Sequence, residues 1–457
     1  MNIIEMLPNN PQIALLQLTS MASFRSSTKH KRLINYKDLI KAGLEYGGLL
    51  QKNNIKKGDY VLIFSPLSID FYIVMIGAWS IGAVPIFIDF SRGSDFVNQT
   101  ANRLNPAVVI CDSLTAIIRL KYKNLRKIKM FKVDKSHKNP TEIQKLSPDH
   151  PAIITFTSGT GGNPKNLVRS HGFLINQYNV LKKHIDFNEH HTDFATLPVF
   201  TLANLAGGMF TILPNHSYKG LKLPTSKYLN NITRIICSPY TFQQMQKKSK
   251  LSSLQKLYLG GGPVYPSVFD EIPQNIDAYI VYGSTEAEPI SKIAWNHINE
   301  DDREKIATGA GLLVGVPVSE IKLKISQENE ILVAGEHVIS NQDWHKTGDT
   351  GYLDHRGRLW LTGRLSQVIR DDLGTLYPFC VECVLDAELG IRGAVVLYKG
   401  KRTVVIDELF SVPDKIILSF LEPFFIKNII KIEKLPMDKR HNVKIDYTQL
   451  MKDIVDF

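Results

Sequence analysis

Short apolar runs alternate with amphipathic segments along the first 360 residues. Runs rich in β-branched residues and bounded by polar or turn-forming positions predict strands, whereas apolar residues spaced three and four apart predict helices. Helices are predicted at residues 35–52 and 68–82. The predicted strands cover residues 60–64, 84–89, 107–111, 153–157, 234–237 and 278–282. This alternation is typical of an α/β fold, with parallel or mixed sheets covered by helices.

One apolar run resembles a membrane span. Residues 71–88 contain no charged side chain, and 18 residues is the lower limit for a spanning helix. Gly77, Gly82 and Pro85 interrupt the run. We therefore predict a buried helix that ends near Gly82, followed by a turn and a core strand at 84–89, and no integral membrane segment.

The pattern changes near residues 362–369. Beyond this point the chain has its own short strands, at 394–397 and 403–406, and its own helices. We predict a large N-terminal domain over residues 1–363 and a small, mobile α+β domain over residues 364–457.

Composition narrows the class of protein. Hydrophobic residues make up 44% and charged residues 22% of the chain, which excludes a largely disordered or fibrous protein. The net charge of +11 would suit a nucleic-acid-binding protein, but the basic residues are spread out. The modest cluster at 121–135 is interpreted as a solvated face. We therefore expect no nucleic-acid partner.

The four cysteines indicate a reducing compartment rather than a disulfide scaffold. Cys380 and Cys383 form a CxxC pair without a second pair or the context of a redox site, so both are interpreted as packing residues. The first residues lack the basic start and apolar run of a signal peptide. A cytoplasmic location is expected.

A loop rich in glycine and hydroxyl side chains follows the predicted strand 153–157. Small residues let backbone N–H groups approach an anion, hydroxyls add donors, and Lys165 supplies a positive charge. The residues that could hold a polyphosphate in this way are Thr157, Ser158, Gly159, Thr160, Gly161 and Gly162. A flexible turn without a ligand is the alternative.

A second candidate stretch follows the predicted strand 278–282 and consists of Tyr282, Gly283, Ser284, Thr285 and Glu286. Open α/β sheets bind ligands at the carboxyl ends of their strands. Here Glu286 could bind Mg²⁺ and Thr285 could contact a phosphate. A surface turn with a solvated acid is the alternative.

A third stretch covers residues 346–364. Asp349, next to Gly348, is suited to accept hydrogen bonds from both hydroxyls of a ribose, as acidic residues do in dinucleotide sites. The alternative is a β-hairpin with its turn at residues 354–357. Both can hold, because the hairpin could position the aspartate.

These three stretches resemble, in order and spacing, the adenylate-forming superfamily of acyl-CoA synthetases, peptide-synthetase adenylation domains and luciferases. Lys444, in the sequence His-Asn-Val-Lys-Ile, resembles that family's C-terminal catalytic lysine. The resemblance covers nearly the whole chain.

The resemblance implies ATP and Mg²⁺ as ligands, a carboxylic acid as substrate, and roles for individual residues. Thr285, Glu286, Lys165 and Lys444 are expected to be catalytic, with Glu286 at the metal. The adenine is expected next to Tyr282 and the loop at Gly261, Gly262 and Pro263. Asp349 and Arg364 are expected at the ribose, and Ser366 at the domain hinge.

The implied reaction forms an acyl-AMP and releases pyrophosphate, after which the acyl group passes to CoA or to the thiol of an acyl carrier protein. The C-terminal motifs resemble those of the olefin-biosynthesis β-lactone synthetases and related fatty-acid ligases. In the β-lactone synthetases the substrate's own hydroxyl attacks the adenylate, and no CoA is used. A degenerate adenylate-binding protein without turnover is the third hypothesis. Apolar residues in the segments expected to line the acyl pocket favour a fatty or other apolar acid; they are Phe200, Leu202, Leu205, Met209 and Tyr240.

The chain also departs from the family pattern. The phosphate loop has Gly161, Asn163 and Asn166 at positions where the family carries other residues, and Thr201 replaces a usual histidine. Ser366 stands at the hinge in place of Asp or Lys. Tyr447 stands where an arginine often follows the catalytic lysine.

Overall fold

The computed structural model describes residues 1–18, 31–88, 93–132, 138–157, 165–217, 220–340, 342–438 and 444–455. The chain forms two compact units: Met1–Ile236 with Ser249–Leu254, and Cys237–Lys248 with Gln255–Phe457. The predicted domain boundary between residues 363 and 364 lies inside the second unit and stays a prediction.

The helices of the described chain are α1 Tyr36–Lys52, α2 Ile69–Ser80, α3 Ser94–Leu104, α4 Ser113–Ile118, α5 Lys123–Arg126, α6 His171–His184, α7 Pro198–Ala206, α8 Ser226–Leu229, α9 Pro239–Lys248, α10 Pro266–Phe269, α11 Glu300–Ala307, α12 Pro378–Leu389, α13 Asp414–Leu421 and α14 Tyr447–Asp453.

The strands up to residue 237 are β1 Ile13–Leu18, β2 Lys31–Asn35, β3 Tyr60–Phe64, β4 Val84–Ile86, β5 Val108–Cys111, β6 Met130–Lys132, β7 Pro151–Thr157, β8 Lys165–Ser170, β9 Thr192–Phe194, β10 Phe210–Leu213, β11 Asn215–Ser217, β12 Gly220–Lys222 and β13 Arg234–Cys237.

The later strands are β14 Lys256–Leu259, β15 Asp277–Ser284, β16 Ala287–Ala294, β17 Leu312–Pro317, β18 Lys322–Ile325, β19 Glu330–Ala334, β20 His345–Leu353, β21 Leu359–Arg364, β22 Ile369–Asp371, β23 Gly374–Leu376, β24 Gly393–Tyr398, β25 Lys401–Asp407 and β26 Asn428–Ile432.

The first unit contains the predicted parallel sheet. Its strands lie in the order β6-β5-β3-β4-β7-β8, and every neighbouring pair is parallel except β7 with β8. A second sheet has the order β2-β1-β10-β9. Helices pack against these strands, so the predicted α/β class is confirmed.

Helices α1 and α2 pack unusually closely in the first unit. Each begins at an N-cap, because the side chains of Asn35 and Ser68 accept hydrogen bonds from the first turn of their helices. A Cβ atom added at Gly77 would lie 2.9 Å from the carbonyl oxygen of Gly43 and 2.9 Å from the amide nitrogen of Gly47. The three glycines therefore permit backbone contact between the helices.

The charge-free run is explained by burial. Helix α2 is buried on all sides, and the Trp79 indole donates a 2.7 Å hydrogen bond to the carbonyl of Ala152 on β7. Strand β4 follows after the turn at Gly82, as predicted, but it ends at Ile86 rather than at Asp89, which lies outside the described residues. Across the described part of the chain, no helix combines the length and apolar character needed to cross a membrane.

The second unit is built on a mixed sheet in which β14 to β21 take the order β14-β15-β16-β17-β21-β20-β19-β18. Strands β14 and β15 are parallel, and each later neighbour is antiparallel. After β21 the chain forms a small sheet, β24-β25-β26, whose core is shared with α12 and α13. The predicted α+β character of this last segment is thus observed.

Replacing Gly77 by valine should lower the free energy of unfolding by about 1–3 kcal/mol, because the new side chain would meet backbone atoms that cannot move aside. Denaturant unfolding followed by tryptophan fluorescence would measure the change. Lys41→Ala, at an exposed position on α1, serves as the control. Equal stability of the two variants would contradict the close packing of α1 and α2.

Candidate active site

Two of the predicted loops lie at one edge of the mixed sheet. Because β14 and β15 are parallel neighbours, the glycine-rich loop after Leu259 and the end of β15 lie at the same edge. A Cβ atom on Gly260 would lie 2.7 Å from the carbonyl oxygen of Val281, so glycine allows the loop to approach β15. Gly261 adopts a φ of 75°, which also favours glycine.

The structure corrects the extent of the strand at this edge. Beyond the predicted end at Tyr282, Gly283 and Ser284 also belong to β15, and only Thr285 and Glu286 form the turn into β16. The turn is fixed by the amide of Ile339, which donates a 2.7 Å hydrogen bond to the carbonyl of Glu286.

Side-chain exposure at this turn fits a ligand site. Thr285 is exposed and Glu286 is half-buried. The hydroxyl of Ser284 is buried and has no hydrogen-bond partner among the described residues, so it can serve a ligand at this edge.

Asp349 is positioned by the predicted hairpin. Strands β20 and β21 are antiparallel, and their register places Asp349 directly opposite Arg364. The turn begins at Asp354, whose carbonyl accepts a 2.9 Å hydrogen bond from the amide of Gly357. The hairpin interpretation of this stretch and the positioning of the aspartate therefore hold together.

The carboxylate of Asp349 contacts two side chains that the sequence had singled out. Tyr282 donates a 2.8 Å hydrogen bond from its hydroxyl to Oδ2. The Nε atom of Arg364 lies 3.0 Å from Oδ1. A carboxylate has about four lone-pair positions, so two remain for other donors. This geometry fits the two neighbouring hydroxyls of a ribose.

The phenol of Tyr282 is held in its protonated form. Burial, and then the nearby charge of Asp349, raise the pKa of Tyr282 well above its ordinary value. The hydroxyl therefore remains a hydrogen-bond donor to Asp349 at any physiological pH.

Two residues that sequence reasoning missed support Asp349. The hydroxyl of Thr347 donates a 2.9 Å hydrogen bond to the carbonyl of Ile331 and accepts a 3.0 Å hydrogen bond from the amide of Asp349. Glu330 accepts a 3.2 Å hydrogen bond from the amide of Gly348. Thr347 could have been found from its place two residues before Asp349, a spacing typical of turns closed by a hydroxyl side chain.

Lys444 lies near the same carboxylate. Dense protein surroundings, and then the positive charge of Arg364, lower its pKa, while the charges of Asp349 and Asp438 partly oppose the change. The residue as a whole nevertheless remains exposed to solvent. Two cations, Arg364 and Lys444, thus lie in electrostatic range of two carboxylates, Asp349 and Asp438.

The backbone around Lys444 is closed by hydrogen bonds. Its amide donates to the carboxylate of Asp438 and its carbonyl accepts from the amide of Asp438, both at 2.8 Å. The amide of Asp446 donates a 2.8 Å hydrogen bond to the carbonyl of Pro436. Lys444 and Asp438 are therefore held side by side, and residues 439–443 lie outside the described part.

Glu286 is the predicted metal ligand, and His345 lies close enough for the two side chains to interact electrostatically. Burial lowers the pKa of the neighbouring His345, whereas the charges of Glu286 and Glu330 raise it, and the net effect is a lowered pKa. His345 is therefore neutral near pH 7 and does not neutralise Glu286. Mg²⁺ is commonly held by one or two carboxylates together with substrate phosphates and water.

Other predicted site residues are only partly visible or lie elsewhere. Residues 158–164 of the phosphate loop are outside the described part. The backbones of Thr157 and Lys165 pair at the ends of β7 and β8 in the first unit. Ser366 is exposed and lies in a single 3₁₀ turn directly after β21. In the first unit, Phe200 and Leu205 are buried on α7.

The CxxC pair lies on α12, where Cys380 and Cys383 are both buried. Burial raises the pKa of the Cys380 thiol to about 12. Within the described residues, no group of three or more His, Cys, Asp or Glu side chains is arranged to hold a metal ion.

The fold is that of the adenylate-forming enzymes. Residues 18–343 match the AMP-binding enzyme family, which is more than half of the chain. The chain belongs to this family, and the resemblance inferred from its motifs is confirmed.

The relatives include a β-lactone synthetase and a coenzyme A synthetase. The olefin β-lactone synthetase of Stenotrophomonas maltophilia is 23% identical over 448 residues, covering 83% of this chain and 80% of the relative. The acetyl-coenzyme A synthetase of Bacillus subtilis is 23% identical over 462 residues, covering 87% and 80%.

A solved enzyme shares the fold. The o-succinylbenzoate CoA synthetase of Bacillus subtilis, in complex with its acyl-adenylate intermediate, superposes with a TM-score of 0.78 at 18% identity, covering 98% of this chain and 97% of that one. The same enzyme in complex with ATP and a magnesium ion gives a TM-score of 0.79.

Asp354, in the turn that joins β20 to β21, is expected to stabilise the fold in a way that is lost in acid. Burial opposes ionisation of Asp354, but hydrogen bonds from the Arg358 amide and guanidinium, the Trp360 indole and the Arg356 amide outweigh it. The pKa of Asp354 falls to about 2. Arg358 also forms a bidentate pair with Asp302, at 2.7 and 2.8 Å.

Asp354 should therefore contribute about 2 kcal/mol to the free energy of unfolding above pH 4. This contribution should disappear as the pH falls through about 2, because the folded-state pKa lies below the unfolded-state value of 3.8. Denaturant unfolding of Asp354→Asn between pH 2 and 6 should show a flatter dependence than the wild type. A profile parallel to that of Asp372→Asn, at an exposed position, would contradict the assignment.

Proposed function

We propose that this protein uses Mg-ATP to activate an apolar carboxylic acid as an acyl-AMP, with release of pyrophosphate. The observation that carries the proposal is the arrangement around Asp349, whose carboxylate is held by Tyr282 and Arg364 with Lys444 in electrostatic range. The carboxylate suits a ribose, and the two cations suit the phosphate that lies next to it in ATP.

Each group then has a role in one displacement. An oxygen of the substrate carboxylate attacks the α-phosphorus, and the bond from that phosphorus to the bridging oxygen of pyrophosphate breaks. Both reactants are anions, so a cation between them offsets their repulsion and the charge that develops in the transition state. Lys444 supplies this cation. Asp349 and Arg364 hold the ribose, so the α-phosphate is presented to Lys444.

Mg²⁺ would be held by Glu286 and would neutralise the pyrophosphate as it leaves. Thr285, exposed at the same turn, would contact a phosphate oxygen. The loop of residues 157–165, with Lys165, would bind the β- and γ-phosphates. Support comes from the related o-succinylbenzoate CoA synthetase, which is known in complex with ATP and a magnesium ion.

Our first candidate for the second step is attack on the acyl-AMP by a thiol, either of CoA or of a carrier protein. The similarity of this chain to the acetyl-coenzyme A synthetase of Bacillus subtilis supports this choice. The second candidate is attack by a 3-hydroxyl of the substrate itself, which yields a β-lactone. The olefin β-lactone synthetase of Stenotrophomonas maltophilia supports the second candidate.

Replacing Lys444 by alanine should reduce acid-dependent ATP–pyrophosphate exchange by about 100- to 1,000-fold, because an oriented cation is lost from the transition state. Consumption of a supplied acyl-adenylate should be largely retained. Lys452→Ala, on the neighbouring helix α14, is the control and should exchange normally. Undiminished exchange by the Lys444→Ala variant would remove the lysine from the mechanism.

The second reaction can be identified with acids matched for chain length, with and without a 3-hydroxyl, each in the presence and absence of CoA. We expect plain acids to give a CoA-dependent thioester, detected by mass spectrometry. ATP-dependent consumption of the hydroxy acids alone, without any thiol, would establish lactone formation instead. If no acid gives pyrophosphate exchange, the protein is an adenylate-binding protein without turnover, and the proposed activity is wrong.

A further inference from the structure

Helix α12 carries a buried carboxylate that the proposed reaction does not use. Glu382 is only 8% exposed and receives two phenols from different parts of the chain. The hydroxyl of Tyr447 donates a hydrogen bond to Oε1, and the hydroxyl of Tyr265 lies 3.4 Å from Oε2. A buried carboxylate without partners is costly, so these contacts decide where α12 can lie.

A second carboxylate on the same helix makes a similar contact. Asp386 accepts hydrogen bonds from the amide of Ser267 at 3.0 Å and from its hydroxyl at 2.8 Å. Phe379, also on α12, packs against the ring of Tyr265 with 5.9 Å between ring centroids. Helix α12 is therefore fixed to the segment that contains Tyr265 and Ser267, which follows the glycine-rich loop at residues 260–263.

Tyr447 connects the buried carboxylate of Glu382 to Lys444. It is the first residue of α14 and stands three positions after the lysine. The intervening Asp446 caps α14 by accepting a 3.1 Å hydrogen bond from the amide of Gln449. On the other side, Lys444 is tied to Asp438. The contact between Tyr447 and Glu382 thus fixes the segment from Lys444 to Tyr447, here called the lysine segment, to α12.

We propose that Tyr447 and Glu382 are positioning residues that hold Lys444 beside Asp349 and Arg364 for adenylate formation. Tyr447 and Tyr265 both contact the carboxylate of Glu382. The segment that contains Lys444 and the segment that follows the glycine-rich loop are therefore fixed to the same group. This inference depends on the proposed role of Lys444.

The electrostatics of the contact agree with this role. Burial raises the pKa of Glu382 to about 7, although the hydrogen bonds from Tyr447 and Tyr265 act in the opposite direction. Burial and the charge of Glu382 raise the pKa of Tyr447 well above its ordinary value, so its phenol remains a donor. Removal of the Tyr447 hydroxyl would leave the carboxylate with one distant phenol.

The test compares Tyr447→Phe with Tyr398→Phe in the full-length protein. Tyr398 lies on β24, and its buried hydroxyl has no hydrogen-bond partner among the described residues, so the control loses a hydroxyl without losing a contact. We expect Tyr447→Phe to lower the kcat of pyrophosphate exchange about tenfold with the KM for ATP unchanged. Tyr398→Phe should match the wild type.

A double-mutant cycle separates positioning of the lysine from a general structural effect. In the Lys444→Ala background, Tyr447→Phe should have no further effect on the exchange rate, because the group that it positions is absent. An equal tenfold loss in both backgrounds would overturn the proposal, and so would a wild-type rate for Tyr447→Phe itself.

Hydrogen exchange provides a readout that does not depend on activity. The amides of residues 444–455 should exchange faster in Tyr447→Phe and in Glu382→Gln than in the wild type or in Tyr398→Phe. Unchanged exchange would overturn the positioning role. If the wild type lacks pyrophosphate exchange but these amides exchange faster in the variants as expected, the contact of Tyr447 with Glu382 does position the segment and the proposed reaction is wrong.

Discussion

The carboxylate of Asp349 is the group on which the rest of the candidate site depends. It must accept from Tyr282 and Arg364 and still keep two lone-pair positions for a ligand, and this requires elements from distant parts of the sequence to meet within a few ångströms. The register of β20 with β21 brings Arg364 opposite the aspartate. The extension of β15 through Tyr282 supplies the phenol. A change of one residue in either register would move these side chains to the other face of the sheet.

The chain after β21 contributes the cation of Lys444 to this arrangement. Its value depends on where the backbone holds it, because a lysine side chain is long and flexible and loses much of its freedom when it is oriented. The hydrogen bonds between Lys444 and Asp438 restrict the segment locally. The contact of Tyr447 with Glu382 restricts it with respect to α12. Local and long-range restraints thus act on the same residue.

Much of this could be predicted from the sequence, because the relevant signals are local. Apolar runs placed α1, α2 and β3 to within one or two residues. The residue pattern around Gly348 singled out Asp349, and the family resemblance added Tyr282 and Arg364. Long-range contacts had no local signal. Glu382 looks like an ordinary acid in a helix until Tyr265 and Tyr447, far away in sequence, are seen to meet it. The end of β15 was also missed, since Gly283 and Ser284 favour a turn on local grounds although pairing with β16 continues the strand.

The central claim is that Asp349 and Arg364 receive the ribose of an adenylate and Lys444 its phosphate. A crystal structure of the full-length protein with an acyl-sulfamoyl adenosine, a stable analogue of the acyl-AMP, tests this most directly. We expect both ribose hydroxyls within hydrogen-bond distance of the Asp349 carboxylate, and the ammonium of Lys444 against the sulfamoyl group. An analogue bound with its ribose away from Asp349, while Tyr282 and Arg364 still hold that carboxylate as they do here, would contradict the account.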